Sequence, residues 1–312
     1  MSFLELVKVQ RQKLPIFPKP CEGQTFIVTG ANVGLGLEAA KHFAAQSEIE
    51  SEAGRTGVAE VWHLDLASSN SVLEFGKRAV AELDRIDAVI ENASVGSDSW
   101  SQAEGMETTI TVNVIGIMLL AMLLLPKLKE PHSVWNNTPH LTFVTSALAF
   151  ESNFFQQWGK NIFAPLNVKE KANTRKKYHI SKLLQVYAAR ELAARLPESQ
   201  TGIVINLINP GLCWTNLAHD ASFSVHLQLY LLRLLLARTA EVGSRTVLHA
   251  TTARPSSHGK FCSDCQIKES WVPAWIYSDD GRKTQTQVWN ELVMELQKIE
   301  LGCVDSLWRN LS

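Results

Sequence analysis

TGANVGLGLEAAKHFAAQ, residues 29–46, decides how the rest of the chain is read. Just before it, Thr25–Thr29 is a short run of the kind that forms a fully buried strand, and Gly34–Gln46 reads as a helix with small residues facing a sheet. Gly30 lets the chain turn sharply after the strand. Gly34 and Gly36 let main chain approach a phosphate and let the helix lie close to the sheet. The free N–H groups and positive end of that helix attract an anion. Strand, glycine turn and helix in this order predict a dinucleotide crevice. A strand-to-helix turn with no ligand is the plainer alternative.

The next stretch is too short for such a site. An acidic residue that grips the adenosine ribose, or an arginine that accepts a 2′-phosphate, should follow about 20 residues beyond the glycines on a second strand. Here Gln46–Gly57 is polar and has no β-branched run that could be buried. The second strand is therefore read as missing or replaced. Two arrangements stay open. Val58–Leu64 is read as the next strand, moving in beside the first and carrying Asp65 to the ribose; alternatively the sheet keeps a gap and Asp65 touches the adenine.

Further along, the pattern predicts helices over Ser71–Asp84, Thr108–Lys129 and Arg175–Arg195, the last with Ile180, Leu183, Leu184 and Tyr187 at helical spacing. Strands are predicted over Asp87–Glu91, Leu141–Thr145 and Ile203–Ile208, with Pro210-Gly211 breaking the last. Strands alternating with long helices mean βαβ units, so the expected fold is α/β: a doubly wound, mostly parallel Rossmann sheet with helices on both faces. All 312 residues are assigned to one such domain. Residues 1–23 are read as a lead-in, and 266–312 as a C-terminal extension with a helix.

Composition narrows the function. A net charge of −1 gives no electrostatic footprint for nucleic acid. The N-terminal residues lack the apolar core of a secretory signal, and the runs Val114–Leu125 and Leu227–Ala237 are shorter than the roughly 20 residues that span a bilayer. No transmembrane segment and a reducing, cytoplasmic location are expected. Cys262-Ser263-Asp264-Cys265 is a CxxC without a second pair, so buried thiols near a late strand are preferred over a metal site. No metal is expected elsewhere either.

Chemistry concentrates in Tyr178-His179-Ile180-Ser181-Lys182, which puts a phenol and an ammonium on one helix face. A tyrosine with its usual pKa of about 10 is a poor base, and a neighbouring cation draws that value down. Ser146 ends the strand LTFVTS at the edge where open α/β sheets bind ligands. Asn92-Ala93-Ser94 follows another strand at the same edge, and the polar side chain of Asn113 inside a long helix is suited to hold a water.

In this order, TGANVGLG, Asp65-Leu66, ENAS, Asn113, Ser146, YHISK and NPG, the chain resembles the short-chain dehydrogenase/reductases over residues 24–265, most closely the retinol-dehydrogenase-like and fungal secondary-metabolism members. The resemblance implies that Tyr178 is the general acid/base and that Lys182 tunes it and holds the nicotinamide ribose. It implies that Ser146 binds the substrate oxygen and Asn113 supports a proton relay. Gly30, Gly34, Leu35 and Gly36 would lie at the phosphates, Asn92 and Ala93 at the adenosine ribose, and Leu212 and Thr215 over the carboxamide. The implied cofactor is NADP, with NAD as the alternative.

Three departures from the family stand out. Ser94 replaces the usual glycine. Ser146 and Tyr178 lie 32 positions apart, with an aromatic then basic insertion over 150–177 read as a substrate-side loop. The segment after Gln46 is short. Residues 218–240 are read as a substrate lid, and Phe154, Phe155, Trp158 and Trp214 suggest a hydrophobic small-molecule substrate. Helices 108–129 and 175–195 resemble those that pair protomers, so a homodimer is expected. The expected activity is hydride transfer between nicotinamide and a carbonyl or alcohol. The alternative is a non-catalytic or cofactor-impaired descendant that keeps the scaffold.

Overall fold

The computed structural model describes residues 3–16, 21–46, 59–135, 137–152, 161–170, 176–215, 230 and 232–305. In chain order its main elements are α1 (Phe3–Gln10), β1 (Phe26–Val28), α2 (Gly34–Gln46), α3 (Ser69–Glu82), β2 (Ala88–Glu91), β3 (Gln102–Ala103), β4 (Met106–Glu107), α4 (Ile117–Trp135), β5 (His140–Val144), α5 (Lys177–Arg195), β6 (Val204–Asn209), α6 (Ala240–Ala250), β7 (Phe261–Ser263), β8 (Gln266–Ile267) and α7 (Asp279–Ile299). A six-stranded sheet has the order β1-β2-β5-β6-β7-β8, while β3 and β4 form a separate hairpin. Pairing is parallel from β1 through β7, and only β8 is antiparallel.

Continuous apolar strands such as Ala88–Glu91 form here because both faces of the sheet are covered. Side chains alternate between two cores. Ala88, Ile90, Val144 and Ile208 pack under α2 and α6 with Ala39, Phe43, Val247 and Leu248. Val89, Leu141, Phe143, Ile205 and Leu207 face the larger core, which takes in α3, α4, α5 and α7. The doubly wound α/β reading is what the chain adopts.

The second-strand region is where one of the two arrangements fails. Residues 59–64 form no strand, and Val61 is 98% exposed. The predicted strand over Val58–Leu64 is therefore corrected, its first residue lying outside the described segments. Trp62 instead rests edge-on against Phe75 of α3, at 5.6 Å, with the Arg78 guanidinium 3.8 Å over its indole. Among the described residues β1 is the edge strand, and this segment does not pair with it.

Among the described residues one helix, Thr108–Glu130, is long and apolar enough to cross a membrane, but 89% of its apolar window is buried within the protein, which makes it a core helix. Its first part, Thr111–Gly116, is a π-helix. α7 packs along α5, whose side chains are buried on nearly all sides. The two helices expected to pair protomers are thus enclosed by the chain itself.

Candidate active site

Carboxyl ends of the parallel strands converge on one edge, and the site is built there. β1 ends at Thr29-Gly30. Thr29 Oγ1 accepts from the main-chain N–H of Asn92 (2.9 Å) and Ala93 (3.0 Å), tying the end of β2 to the glycine turn. Asn92 Nδ2 returns a bond to Thr29 O at 2.9 Å. Gly30 has φ +66°, and a methyl group there would stand 3.1 Å from Ala93 Cα. Gly36 is tighter: a Cβ would lie 2.4 Å from Gly30 O, so only glycine lets α2 begin this close to the turn. These glycines fit a pyrophosphate cradle at the start of α2.

Leu35 reaches across to α6, where a Cβ on Gly243 would meet Leu35 Cδ2 at 2.8 Å. Thr215 lies opposite, with its Cγ2 3.4 Å from where a side chain on Gly34 would begin. The loop after β6 therefore closes over the glycine turn. Leu212 stands at the base of this loop, bonded to Arg238 through its main chain.

Asp65 is exposed and committed locally. Its Oδ1 accepts from Ala67 N (2.9 Å) and its N–H donates to Ser71 Oγ (2.9 Å), while Leu66 O abuts Gly116 of the π-helix. Because residues 59–64 form no strand, the arrangement that brings Asp65 in along them beside β1 is not formed.

Lys182, Tyr178 and Ser146 come together. Ser146 lies close enough to the Tyr178 hydroxyl to act on it, although 32 positions separate them. Lys182 is fully buried one turn along α5, its Nζ 5.8 Å from the Tyr178 ring centre. That ammonium donates to Val144 O (2.8 Å) and Gln185 Oε1 (3.1 Å), which leaves one of its three N–H groups uncommitted. Burial lowers Lys182 to about 7. Burial raises the Tyr178 phenol well above its ordinary value, opposed by the nearby Ser146 hydroxyl, so the lowering expected from the ammonium is not what dominates here.

Asn113 is spent differently from the expectation of a water-holding side chain. Its Nδ2 donates to Val95 O (2.9 Å) and Ser181 Oγ (3.0 Å). Its Oδ1 accepts from Val95 N (2.9 Å) and Ser94 Oγ (3.1 Å). Ser94, the departure from glycine, thus becomes part of the bracket between the β2 loop and α5. The π-helix around Asn113 opens the regular main-chain ladder at this point, a feature frequent at functional sites.

Three contributors carried no role in the sequence reading. Asn209, the first residue of the NPG motif, accepts from Ala147 N (3.1 Å) and so holds the turn that bears Ser146. Lys177, next to Tyr178, is buried in an ion pair with Glu107 (2.8 Å) that anchors the start of α5. Glu91, inside the ENAS motif, is fully buried beneath the glycine turn; Thr29 Oγ1 donates to one oxygen at 3.3 Å, and Oε1 has no hydrogen-bond partner.

Burial pushes Glu91 up to about 8. A carboxyl that holds its proton more tightly when folded favours the folded state below its unfolded pKa, and this advantage fades as pH rises to the folded value. Glu91→Gln, which mimics the neutral acid, should match the wild type near pH 4.5 and exceed it by about 2–5 kcal/mol at pH 9. Urea unfolding at the two pH values measures the difference; equal stability at pH 9 would contradict it.

Some expected residues fall elsewhere. Phe154, Phe155 and Trp158 of the insertion, and most of the lid at 218–240, lie outside the described residues. Trp214 is 46% exposed and meets Tyr230 edge-on at 5.8 Å. Cys262 and Cys265 are buried free thiols at β7, and no cluster of metal-binding side chains occurs among the described residues.

A glycine turn at one strand end, Ser146 at another, and Tyr178 and Lys182 on the adjoining α5 define an oxidoreductase of the Rossmann class. The chain belongs to the short-chain dehydrogenase/reductase family. The short chain dehydrogenase family model matches residues 24–156. The short chain dehydrogenase/reductase dmxR8 of Cryptosporiopsis sp. (strain 8999) is 38% identical, covering 90% of this chain and 92% of that protein. The short-chain dehydrogenase anuD of Penicillium roqueforti is 36% identical, covering 92% and 81%. Among solved structures, a Burkholderia cenocepacia short chain dehydrogenase in complex with NADP superposes with a TM-score of 0.56 at 18% identity, over 82% of this chain and all of that one. A Brucella melitensis 3-ketoacyl-(acyl-carrier-protein) reductase complexed with NADH gives 0.55 at 18% identity, over 78% and 96%. At that identity the likeness speaks for the fold alone.

Proposed function

We propose that this protein is an NADP-dependent ketone reductase, able to use NAD, that acts on a hydrophobic small molecule in fungal secondary metabolism. The observation that carries the reading is the convergence of Ser146, Tyr178 and the buried Lys182 at one strand edge. When bound, the nicotinamide supplies the hydride. Gly30, Gly34, Leu35, Gly36 and the start of α2 would hold the pyrophosphate, the uncommitted N–H of Lys182 the nicotinamide ribose, and Leu212 and Thr215 the carboxamide. Ser146 orients the substrate carbonyl and stabilises charge on its oxygen. Tyr178 gives that oxygen its proton. The relatives solved with NADH and with NADP support a nicotinamide coenzyme without choosing between the two.

α7 along α5 favours a single copy over the homodimer, and free buried cysteines suit the cytoplasm. A second reading, a cofactor-impaired descendant, is motivated by the unpartnered outer side of β1. Calorimetric titration with NADPH and NADH, followed by turnover of a panel of apolar ketones, separates the two. Binding in the micromolar range with turnover supports the reductase, and no heat at millimolar coenzyme supports the impaired scaffold.

A further inference from the structure

The first residues of the chain are more than a lead-in. α1 ends in Gln10, which is buried and joined to two stretches more than 200 positions away. Its Nε2 donates to Leu212 O (2.8 Å) and Leu236 O (3.1 Å), and its Oε1 accepts from Leu212 N (3.3 Å). Arg238, buried beside it, donates to Gln10 O (3.3 Å), Val9 O (2.5 Å) and Pro210 O (3.3 Å), and pairs with the buried Asp264 at 2.6 Å. Leu212 and Arg238 are also joined through their main chains, Arg238 N to Leu212 O and Trp214 N to Arg238 O, each 2.9 Å. These bonds cinch together the two ends of the segment that spans the predicted lid. Gly211, at φ +78°, is shaped to the clamp, since a Cβ there would lie 2.4 Å from Gln10 Oε1.

This junction leads directly to the crevice. Three residues beyond Leu212, Thr215 stands against Gly34 of the glycine turn, and Cys213 packs against Gly243 beside Leu35. Any shift of Leu212 therefore changes the gap between Thr215 and the turn.

We infer that Gln10 is a positioning residue for coenzyme binding: α1, through Gln10 and Arg238, sets how closely the loop after β6 closes on the glycine turn. The inference rests on the nicotinamide reading above. It assigns a functional role to a segment outside the span matched by the family model, residues 24–156.

The test uses the full-length protein with Gln10→Met, which fills similar volume but neither donates nor accepts as the amide does, and Gln10→Asn, which keeps the amide one methylene short. NADPH dissociation constants are measured by fluorescence quenching, kcat at saturating coenzyme, and amide exchange of residues 210–215 without coenzyme. Losing the amide's bonds should weaken NADPH binding about five- to ten-fold in Gln10→Met and less in Gln10→Asn. kcat at saturation should stay within about two-fold, since no group at the reacting atoms is touched. Exchange over 210–215 should quicken in both variants. Wild-type affinity in a folded variant, or a kcat loss at unchanged affinity, would overturn the inference, and faster exchange with unchanged affinity would reduce Gln10 to a purely structural role. If Gln10→Met does not fold, Gln10→Asn decides alone. Failure of the wild type to bind either coenzyme would instead remove the nicotinamide reading on which this rests.

Discussion

Tyr178→Phe is expected to lower kcat/KM for ketone reduction by about 10²–10⁴-fold, the usual contribution of a positioned general acid. The ring stays, so packing of α5 stays with it; only the hydroxyl near Ser146 is lost. Coenzyme affinity should hardly change. Lys182 is anchored by Val144 O and Gln185, not by the phenol, so its uncommitted N–H keeps its direction when the hydroxyl goes. Steady-state rates with NADPH and an active ketone, alongside direct titration of the coenzyme, report the two quantities separately. Equal rates in wild type and variant would remove Tyr178 from proton transfer and leave Ser146 without its partner in the reaction.

Asp264→Asn should cost about 3–5 kcal/mol of stability, the largest loss expected from a single near-isosteric change in this chain. Arg238 and Asp264 have side chains only 2% and 1% exposed and meet at 2.6 Å. Removing the carboxylate's charge leaves a guanidinium buried without compensation. Three main-chain carbonyls still accept from it, which puts the loss toward the lower end of that range. Asparagine tolerates the left-handed backbone at this position, φ +53°, so the change isolates charge from conformational strain. Urea unfolding at neutral pH measures it, and a loss below about 1 kcal/mol would mean that water reaches the guanidinium.

The sheet was legible because its strands are buried on both faces and therefore read as unbroken apolar runs. Ala88–Glu91 follows that rule up to its last residue and Val204–Asn209 apart from its two asparagines, and Gly34–Gln46 forms a helix with the bounds its pattern predicts. Residues 58–64 misled for a physical reason. VAEVWHL has the β-branched and aromatic content of a strand, but a strand exists only beside another, and pairing is decided by residues far away in the chain. The same limit applies at the site. YHISK and Ser146 could be assigned from their motifs, and the fold does bring them into contact. Nothing local revealed that the Asn113 side chain would be consumed by Ser94, Val95 and Ser181, or that Gln10 would meet Leu212. Glu91 was visible within ENAS, yet its burial depends on the glycine turn of another strand lying over it.

The turn at Gly36 has no room for even one methyl, because Gly30 O stands 2.4 Å from where it would sit. Sequence drift is barred there, since any side chain must lever α2 away from the turn, and lineages that keep this crevice should keep the codon.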